Sequence, residues 1–224
     1  MAKELLIIGT SGTGKSTSLR NLKPEETFII NVAGKSLPFK GSKYTLATKE
    51  NPTGNMFITD KTNAIIELLE KINKDRPSIK QVIIDDAQYI MANEYMRRAK
   101  ENGYAKFQDI GQGIFNLVNK PASLRDDLKV VFLMHSETDM DADGRKITKA
   151  KTIGKMIDMY ITFEGMFSIV LYTNAVRKDN KVEYKFATQT DGSNTCKSPM
   201  GMFNDLLIDN DLALVFKAMD EFYS

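Results

Sequence analysis

A glycine-rich segment near the start of the chain has the residue types and spacing that bind phosphate groups. It consists of Gly9, Thr10, Ser11, Gly12, Thr13, Gly14, Lys15, Ser16 and Thr17. An apolar strand is predicted before it and a helix after it, so its backbone N–H groups and the helix dipole can attract phosphate oxygens. Lys15 would contact the β- and γ-phosphates, and the Ser16 hydroxyl would be a ligand of Mg²⁺. The complete spacing favours an ATP and Mg²⁺ site over a chance glycine-rich turn.

Two adjacent acids follow the apolar run Val82-Ile83-Ile84. Asp85 is expected at the carboxyl end of a buried strand, where ligands bind in open α/β sheets. There it can complete the Mg²⁺ shell opposite Ser16. Asp86 can orient or deprotonate an attacking water molecule, as a hydrolase requires. For Asp86, capping of the following helix is the alternative interpretation.

Three further polar residues are candidates for contacts with the γ-phosphate. His135, the single histidine of the chain, ends the strand predicted at 129–134. This is the place of a residue that senses the γ-phosphate; a strand-end histidine bonded to backbone and solvent is an equal alternative. Lys197 and Arg177 could each act from a neighbouring subunit on transition-state charge, or could be ordinary surface cations.

The segment 136–155 is rich in charge and contains no apolar run, so it is predicted to be a mobile loop. Its candidate DNA-binding residues are Arg145, Lys146, Lys149 and Lys151. A basic loop directly after a sensor position can touch a phosphodiester backbone when ATP is bound. The alternative is that these four residues are ordinary solvated surface residues. The acids of the same segment lower its net positive charge.

Composition predicts one soluble domain over residues 1–224. Hydrophobic residues make up 42% and charged residues 27% of the chain, which is typical of globular proteins. The net charge of +2 neither requires nor excludes nucleic acid. The single cysteine, Cys196, excludes an intramolecular disulfide and fits a reducing compartment. No apolar run is long enough to cross a bilayer, so we expect no membrane association and a cytoplasmic location.

The hydrophobic pattern predicts a mainly parallel α/β sheet flanked by helices, with antiparallel strands added towards the C-terminus. Strands are predicted at 5–8, 27–32, 81–85, 129–134, 157–164, 167–173 and 182–188. Helices are predicted at 15–22, from Asp60 to before Pro77, at 88–101, at 105–128 and from about Asp211. The segment 33–55 is predicted to be a loop with a short strand near 44–46, and a turn is predicted at 178–180.

Several segments together resemble a family of phage-encoded, RecA-like P-loop ATPases associated with single-strand DNA annealing and recombination. These segments are AGKSLPFKGS, VIIDDAQYIM, LMHSE, TIGKMID and TCKSPMGMF. The resemblance implies a RecA-type core, ATP hydrolysis, binding of single-stranded DNA and self-assembly into a ring or filament. It also implies work alongside a single-strand-binding protein, in the host cytoplasm. RecA-like recombinases carry a catalytic glutamate beyond the second strand; residues 31–35 contain no acid, which shifts the role of base to Asp86.

Three other classes of function share the phosphate loop. A small P-loop nucleotide kinase usually has an arginine-rich lid, whereas only seven arginines are scattered through this chain. A GTPase needs an Asn-Lys-x-Asp motif, and the nearest segments, at 119–122 and 180–183, lack the final Asp. A scaffold that binds ATP without turnover would tolerate the loss of Asp86.

Overall fold

The computed structural model describes residues 1–40, 43–140, 143–159, 161–179 and 181–224. The strands within these ranges are β1 (Lys3–Gly9), β2 (Thr27–Asn31), β3 (Met56–Ile58), β4 (Gln81–Asp85), β5 (Lys129–Met140), β6 (Lys146–Ala150), β7 (Val170–Lys178), β8 (Lys181–Ala187) and β9 (Leu207–Asp209). The α-helices are α1 (Thr62–Asp75), α2 (Gln88–Arg97), α3 (Ala105–Asn119), α4 (Lys155–Asp158) and α5 (Leu212–Tyr223). Short 3₁₀ helices cover Ser16–Leu19, Lys120–Ser123 and Phe163–Met166.

The strands form one sheet in the order β3-β2-β4-β5-β1-β7-β8-β9, and β6 pairs with β5. Six neighbouring strands run parallel to one another, namely β3, β2, β4, β5, β1 and β7. Strands β6, β8 and β9 pair in the antiparallel direction. The predicted fold class, a mainly parallel sheet with antiparallel strands towards the C-terminus, is confirmed.

The register of the sheet brings the predicted site residues to one edge. Gly9 at the end of β1 is the partner of His135 in β5, and Asn31 at the end of β2 is the partner of Asp85 in β4. Because β5 lies between β1 and β4, the three strands deliver a glycine turn, a histidine and an acid to adjacent positions.

Both faces of the parallel strands are buried, which explains their continuous apolar runs. In β1, Leu6 and Ile8 belong to the core under α1, α2 and α3. Leu5 and Ile7 belong to the second core, under α5. Full burial of such a side chain contributes roughly 1.5–3 kcal/mol, so the strand that carries the phosphate loop is firmly held.

The helix predicted at 15–22 is shorter in the structure, where only Ser16–Leu19 is helical and of the 3₁₀ type. The Ser18 hydroxyl donates to the Lys15 carbonyl oxygen, a local bond that competes with regular helix. Pro24 follows closely and disfavours a longer helix. The dipole of so short a helix is small, so phosphate binding depends mainly on backbone N–H groups and Lys15.

The loop predicted at 136–155 is wrong over most of its length. Strand β5 continues to Met140 and pairs with β6, where Glu137 faces Lys149 and Thr138 faces Thr148. Opposite charges and β-branched residues across the strands stabilise such a pair. Much of the hairpin faces solvent, so its sequence carries no apolar run. Asp141 lies outside the described residues.

The strand predicted at 157–164 is also wrong, because α4 and the 3₁₀ helix at Phe163–Met166 occupy this segment. Gly154, at φ +103°, turns the chain into α4. Asp158 then accepts hydrogen bonds from the Thr152 hydroxyl at 2.6 Å and the Lys149 ammonium at 2.9 Å. These polar bonds, which sequence periodicity does not reveal, hold the segment in a compact turn.

The remaining differences are smaller. Helix α2 ends at Arg97 and α3 at Asn119, where Pro121 starts a 3₁₀ turn instead of a longer helix. Near 44–46 a single bridge joins Leu46 to Met56. Strands β3 and β9 were not predicted. The turn at 178–180 includes Asn180, which lies outside the described residues. Among the described helices, none has the length and apolarity to cross a bilayer.

Candidate functional site

The glycine-rich segment forms a turn at the end of β1 and lines a cavity of about 380 Å³. The lining residues are Ser11, Gly12, Gly14, Lys15, Ser16, Thr17, Lys35, Ser36, Pro38, Asp85, Asp86, His135 and Tyr184. Gly12 and Gly14 have φ angles of +77° and +98°, in the region that favours glycine. The remaining predicted residues of the turn, Gly9, Thr10 and Thr13, are not among the lining residues.

Lys15 is buried in the turn, with an exposed fraction of 6%. Its Nζ donates to the carbonyl oxygens of Gly9 at 2.9 Å and Thr10 at 2.8 Å. Burial lowers the pKa of Lys15 to about 8, and the nearby carboxylates of Asp86 and Asp85 act in the opposite direction. The ammonium is therefore held by neutral carbonyl oxygens, partners that a phosphate oxygen can replace with a stronger charge-assisted bond.

Ser16 and Asp85 form the predicted pair of Mg²⁺ ligands. The Ser16 hydroxyl donates to Asp85 Oδ1 at 2.9 Å. Burial and the neighbouring charge of Asp86 raise the pKa of Asp85 to about 6, against the lowering effects of Ser16 and Lys15. The negative charge of Asp85 is thus only partly balanced by Lys15, and a bound cation would stabilise it. Mg²⁺ typically uses one or two protein oxygens together with phosphates and water, so these two oxygen ligands fit it.

Asp86 has an unusual backbone for a non-glycine residue, with φ at +62°. Its Oδ2 accepts a hydrogen bond from Lys35 Nζ at 2.8 Å, and its Oδ1 lies 3.4 Å from His135 Nε2. Helix α2 has Ala87 as its N-cap and no side-chain capping bond. The capping interpretation is therefore wrong, because the Asp86 carboxylate faces the cavity.

His135 faces Asp86 instead of only backbone and solvent. Burial and the Lys15 ammonium lower the pKa of His135, while the carboxylate of Asp86 opposes this shift. Its backbone N–H donates to Gln88 Oε1 at 3.1 Å, and its carbonyl accepts from the Lys151 N–H at 2.8 Å. His135 therefore links the cavity to the base of the β5–β6 hairpin.

Four lining residues were not predicted from the sequence: Lys35, Ser36, Pro38 and Tyr184. Lys35 follows β2, in the segment AGKSLPF, and reaches Asp86 across the cavity. Tyr184 lies on β8, and its ring is so close to Gly14 that a Cβ atom there would be 2.9 Å from Cγ and Cδ1. The only signal for Lys35 was its position in a segment that carried the family resemblance; Tyr184 had none.

The other predicted residues lie away from this cavity. Lys197 exchanges backbone hydrogen bonds with Val170, whose register partner Leu6 is three residues before Gly9. Arg177 lies near the exposed end of β7. Neither side chain lines the cavity of its own chain, so a role in a neighbouring subunit stays a prediction.

The four predicted DNA-binding residues all lie on or next to the β5–β6 hairpin. Arg145, Lys146 and Lys151 are exposed. Lys149 is half-buried and forms ion pairs with Asp158 at 2.9 Å and Asp139 at 3.4 Å. Because two carboxylates already neutralise Lys149, it is less suited than the exposed Lys146 and Lys151 to contact with a phosphate backbone.

The close approach of Gly9 to Thr173 supports a stability prediction. A Cβ atom at Gly9 would lie 1.9 Å from Thr173 Oγ1, so we expect Gly9→Ala to lower the free energy of unfolding by about 1–3 kcal/mol. Adding Thr173→Ala removes that oxygen and should recover part of the loss in urea denaturation. Gly111→Ala is the control, since its nearest neighbour would be at 3.9 Å. Equal stability of the single and double variants would contradict this packing argument.

The sheet, the glycine turn and the acids at the neighbouring strand ends define a P-loop nucleotide-binding fold. A family model described as an AAA domain matches residues 1–200. The chain therefore belongs to this AAA-domain family, whose members are P-loop ATPases that bind nucleotide, usually with Mg²⁺. No curated protein shows significant similarity to the sequence.

Proposed function

We propose that the chain is a Mg²⁺-dependent ATPase that hydrolyses ATP in the cavity at the end of β1. The observation that carries the proposal is the convergence of Lys15, the Ser16–Asp85 pair and Asp86 on one cavity. These residues supply a phosphate-binding cation, two oxygen ligands for a metal and a carboxylate that can act on water.

Binding begins with the phosphates in the glycine turn. Lys15 exchanges its bonds with the carbonyl oxygens of Gly9 and Thr10 for bonds with the β- and γ-phosphates. Mg²⁺ held through Ser16 and Asp85 would offset negative charge on the phosphates. The buried position of Lys15 keeps water away from the new ion pair and strengthens it.

Hydrolysis then requires a water molecule in line with the bond that breaks. Asp86 orients this water and accepts its proton while the water oxygen attacks the γ-phosphorus. The bond from the γ-phosphorus to the β–γ bridging oxygen breaks, ADP leaves and inorganic phosphate forms. The proton passes from Asp86 to solvent. His135 Nε2 lies 3.4 Å from Asp86 Oδ1, so His135 would sense the change when Asp86 gains and then loses this proton.

We propose further that turnover is coupled to single-stranded DNA. The chain would act in phage recombination, as a homo-oligomer alongside a single-strand-binding protein in the host cytoplasm. Lys197 of a neighbouring subunit would reach the γ-phosphate. Support comes from the sequence resemblance and from the basic residues on the hairpin that begins at His135. An ATP-binding scaffold and a nucleotide kinase are the competing functions.

A phosphate-release assay with and without single-stranded DNA tests these proposals. We expect Mg²⁺-dependent release of phosphate that increases with DNA. Addition of nucleoside monophosphates is the kinase control: ATP loss that depends on the acceptor would favour a kinase. Binding of ATP without any release of phosphate would favour the scaffold.

The DNA contact has its own prediction. We expect Lys146→Ala with Lys151→Ala to weaken single-stranded DNA binding and to lower the slope of log K against log salt by about 1.4, or about 0.7 per lost contact. The exposed pair Lys71→Ala with Lys217→Ala removes equal charge from helices α1 and α5 and is the control. Identical salt slopes in the two double variants would show that Lys146 and Lys151 do not contact the DNA backbone.

A further inference from the structure

Lys35 is held at the mouth of the cavity by its own loop. The Asn31 side chain at the end of β2 donates a hydrogen bond to the Lys35 carbonyl oxygen at 2.6 Å. Gly34 precedes it at φ +66°, a backbone that glycine adopts without strain. The loop thus fixes the main chain of Lys35 beside the strand end that carries Asp85, and the side chain reaches from there to Asp86.

The side chain of Lys35 has two contacts in this position. Its Nζ lies 2.8 Å from Asp86 Oδ2 and 5.2 Å from the centre of the Tyr89 ring. The side chain is 61% exposed. The Asp86 side chain, by contrast, is only 12% exposed, so the pair joins a solvated cation to a largely buried carboxylate in the cavity.

The position of Lys35 matters for the water that Asp86 would activate. Lys35 occupies one carboxylate oxygen of Asp86, and His135 faces the other. Each carboxylate oxygen can accept two hydrogen bonds, so Lys35 and His135 each take up part of the capacity of Asp86 to hold water before nucleotide binds. Departure of Lys35 would leave Oδ2 fully open to the attacking water.

The negative charge of a bound triphosphate can attract Lys35 away from Asp86. Lys35 and Lys15 line the same cavity. Lys15 is held at the carbonyl oxygens of Gly9 and Thr10, and Lys35 is held at Asp86, so two cations border one cavity. A γ-phosphate carries more negative charge than a single carboxylate and would lie between these cations.

We propose that Lys35 is a catalytic residue that moves from Asp86 to the γ-phosphate when ATP binds. The exchange places a cation on the transferred phosphoryl group and frees Asp86 Oδ2 for water. The cation comes from the same chain, in contrast to the role predicted for Lys197 of a neighbour. The inference rests on the proposed ATPase function and adds to it the residue that makes hydrolysis depend on the third phosphate.

The test compares Lys35→Ala and Lys35→Arg with the wild-type chain, and uses Lys40→Ala, an exposed lysine of the same segment, as control. We expect Lys35→Ala to lower kcat by about 100- to 1,000-fold, as for loss of one transition-state donor. Lys35→Arg should retain part of the rate, and Lys40→Ala should retain all of it. The melting temperature of Lys35→Ala should fall only slightly, because the lysine is 61% exposed and His135 still faces the largely buried Asp86 carboxylate.

Binding measurements separate a γ-phosphate contact from a structural role. Lys35→Ala should bind ADP as the wild type does, but should bind a non-hydrolysable ATP analogue about tenfold less tightly, the loss of one charge-assisted contact. Equal losses for both nucleotides would overturn the contact with the γ-phosphate. Wild-type kcat in Lys35→Ala would overturn the catalytic role.

A mixing experiment tests action within one chain. Lys15→Ala and Lys35→Ala chains are mixed before the assay. If Lys35 acts on the nucleotide of its own chain, the mixture shows no more phosphate release than the separate variants. Recovery on mixing would overturn that arrangement. Failure of the wild-type chain to hydrolyse ATP at all would instead refute the proposed ATPase function, and the inference with it.

Discussion

The Lys15→Ala variant is expected to lose nearly all ATP turnover, with kcat/KM reduced by about 1,000-fold or more. The lost ammonium is the one buried cation of the turn among the described residues, held by the Gly9 and Thr10 carbonyl oxygens until phosphate replaces them. Alanine leaves the β- and γ-phosphates without this partner, so ATP should bind less tightly and be hydrolysed more slowly. Phosphate release and titration with a fluorescent ATP analogue measure the two effects.

The control for Lys15→Ala is Lys23→Ala, which removes an exposed lysine shortly after the same turn. It should turn over ATP at the wild-type rate. The Lys15→Ala protein should remain folded by circular dichroism, since the core strands do not depend on this ammonium. Unchanged phosphate release from a folded Lys15→Ala protein would refute the assignment of the site.

The Asp86→Asn variant is expected to bind ATP normally and to hydrolyse it about 100- to 10,000-fold more slowly, the usual effect of losing a general base. Asparagine has the same shape and tolerates the φ of +62°, so the backbone of the turn should be preserved. The amide cannot accept the proton of the attacking water. Single-turnover hydrolysis measures the chemical step, and equilibrium titration measures binding.

Asp205→Asn is the matched control, because Asp205 is an exposed acid far along the chain from the cavity. It should behave as the wild type in both measurements. Full kcat in Asp86→Asn would remove Asp86 as the base. Loss of ATP binding together with the rate would assign Asp86 to binding instead of to the chemical step.

The sequence predicts the centre of the fold well because that part follows a local rule. Strands buried on both faces, such as β1 and β4, appear as short apolar runs, and the polar residue after each run lies at the ligand-binding edge. This rule identified Asp85 and Asp86, the glycine-rich spacing identified Lys15, and together they indicated the side of the sheet on which these residues meet. The class of protein follows from the same few residues.

The parts that were missed depend on contacts between distant residues. The β5–β6 hairpin is stabilised by cross-strand contacts such as the ion pair of Asp139 with Lys149, and its polar sequence resembles a loop. The bond from Lys35 to Asp86 joins residues 51 positions apart. A lysine after a glycine is ordinary in a surface loop, so only the folded arrangement reveals its partner.

Strand β5 has a mechanical consequence. It is continuous from Lys129 to Met140, so the five residues beyond His135 extend about 17 Å, at about 3.3 Å per residue, without a joint. A continuous strand of this kind would move as one unit. A tilt of the strand at His135 would therefore displace the far end of the hairpin, where Lys146 begins the returning strand.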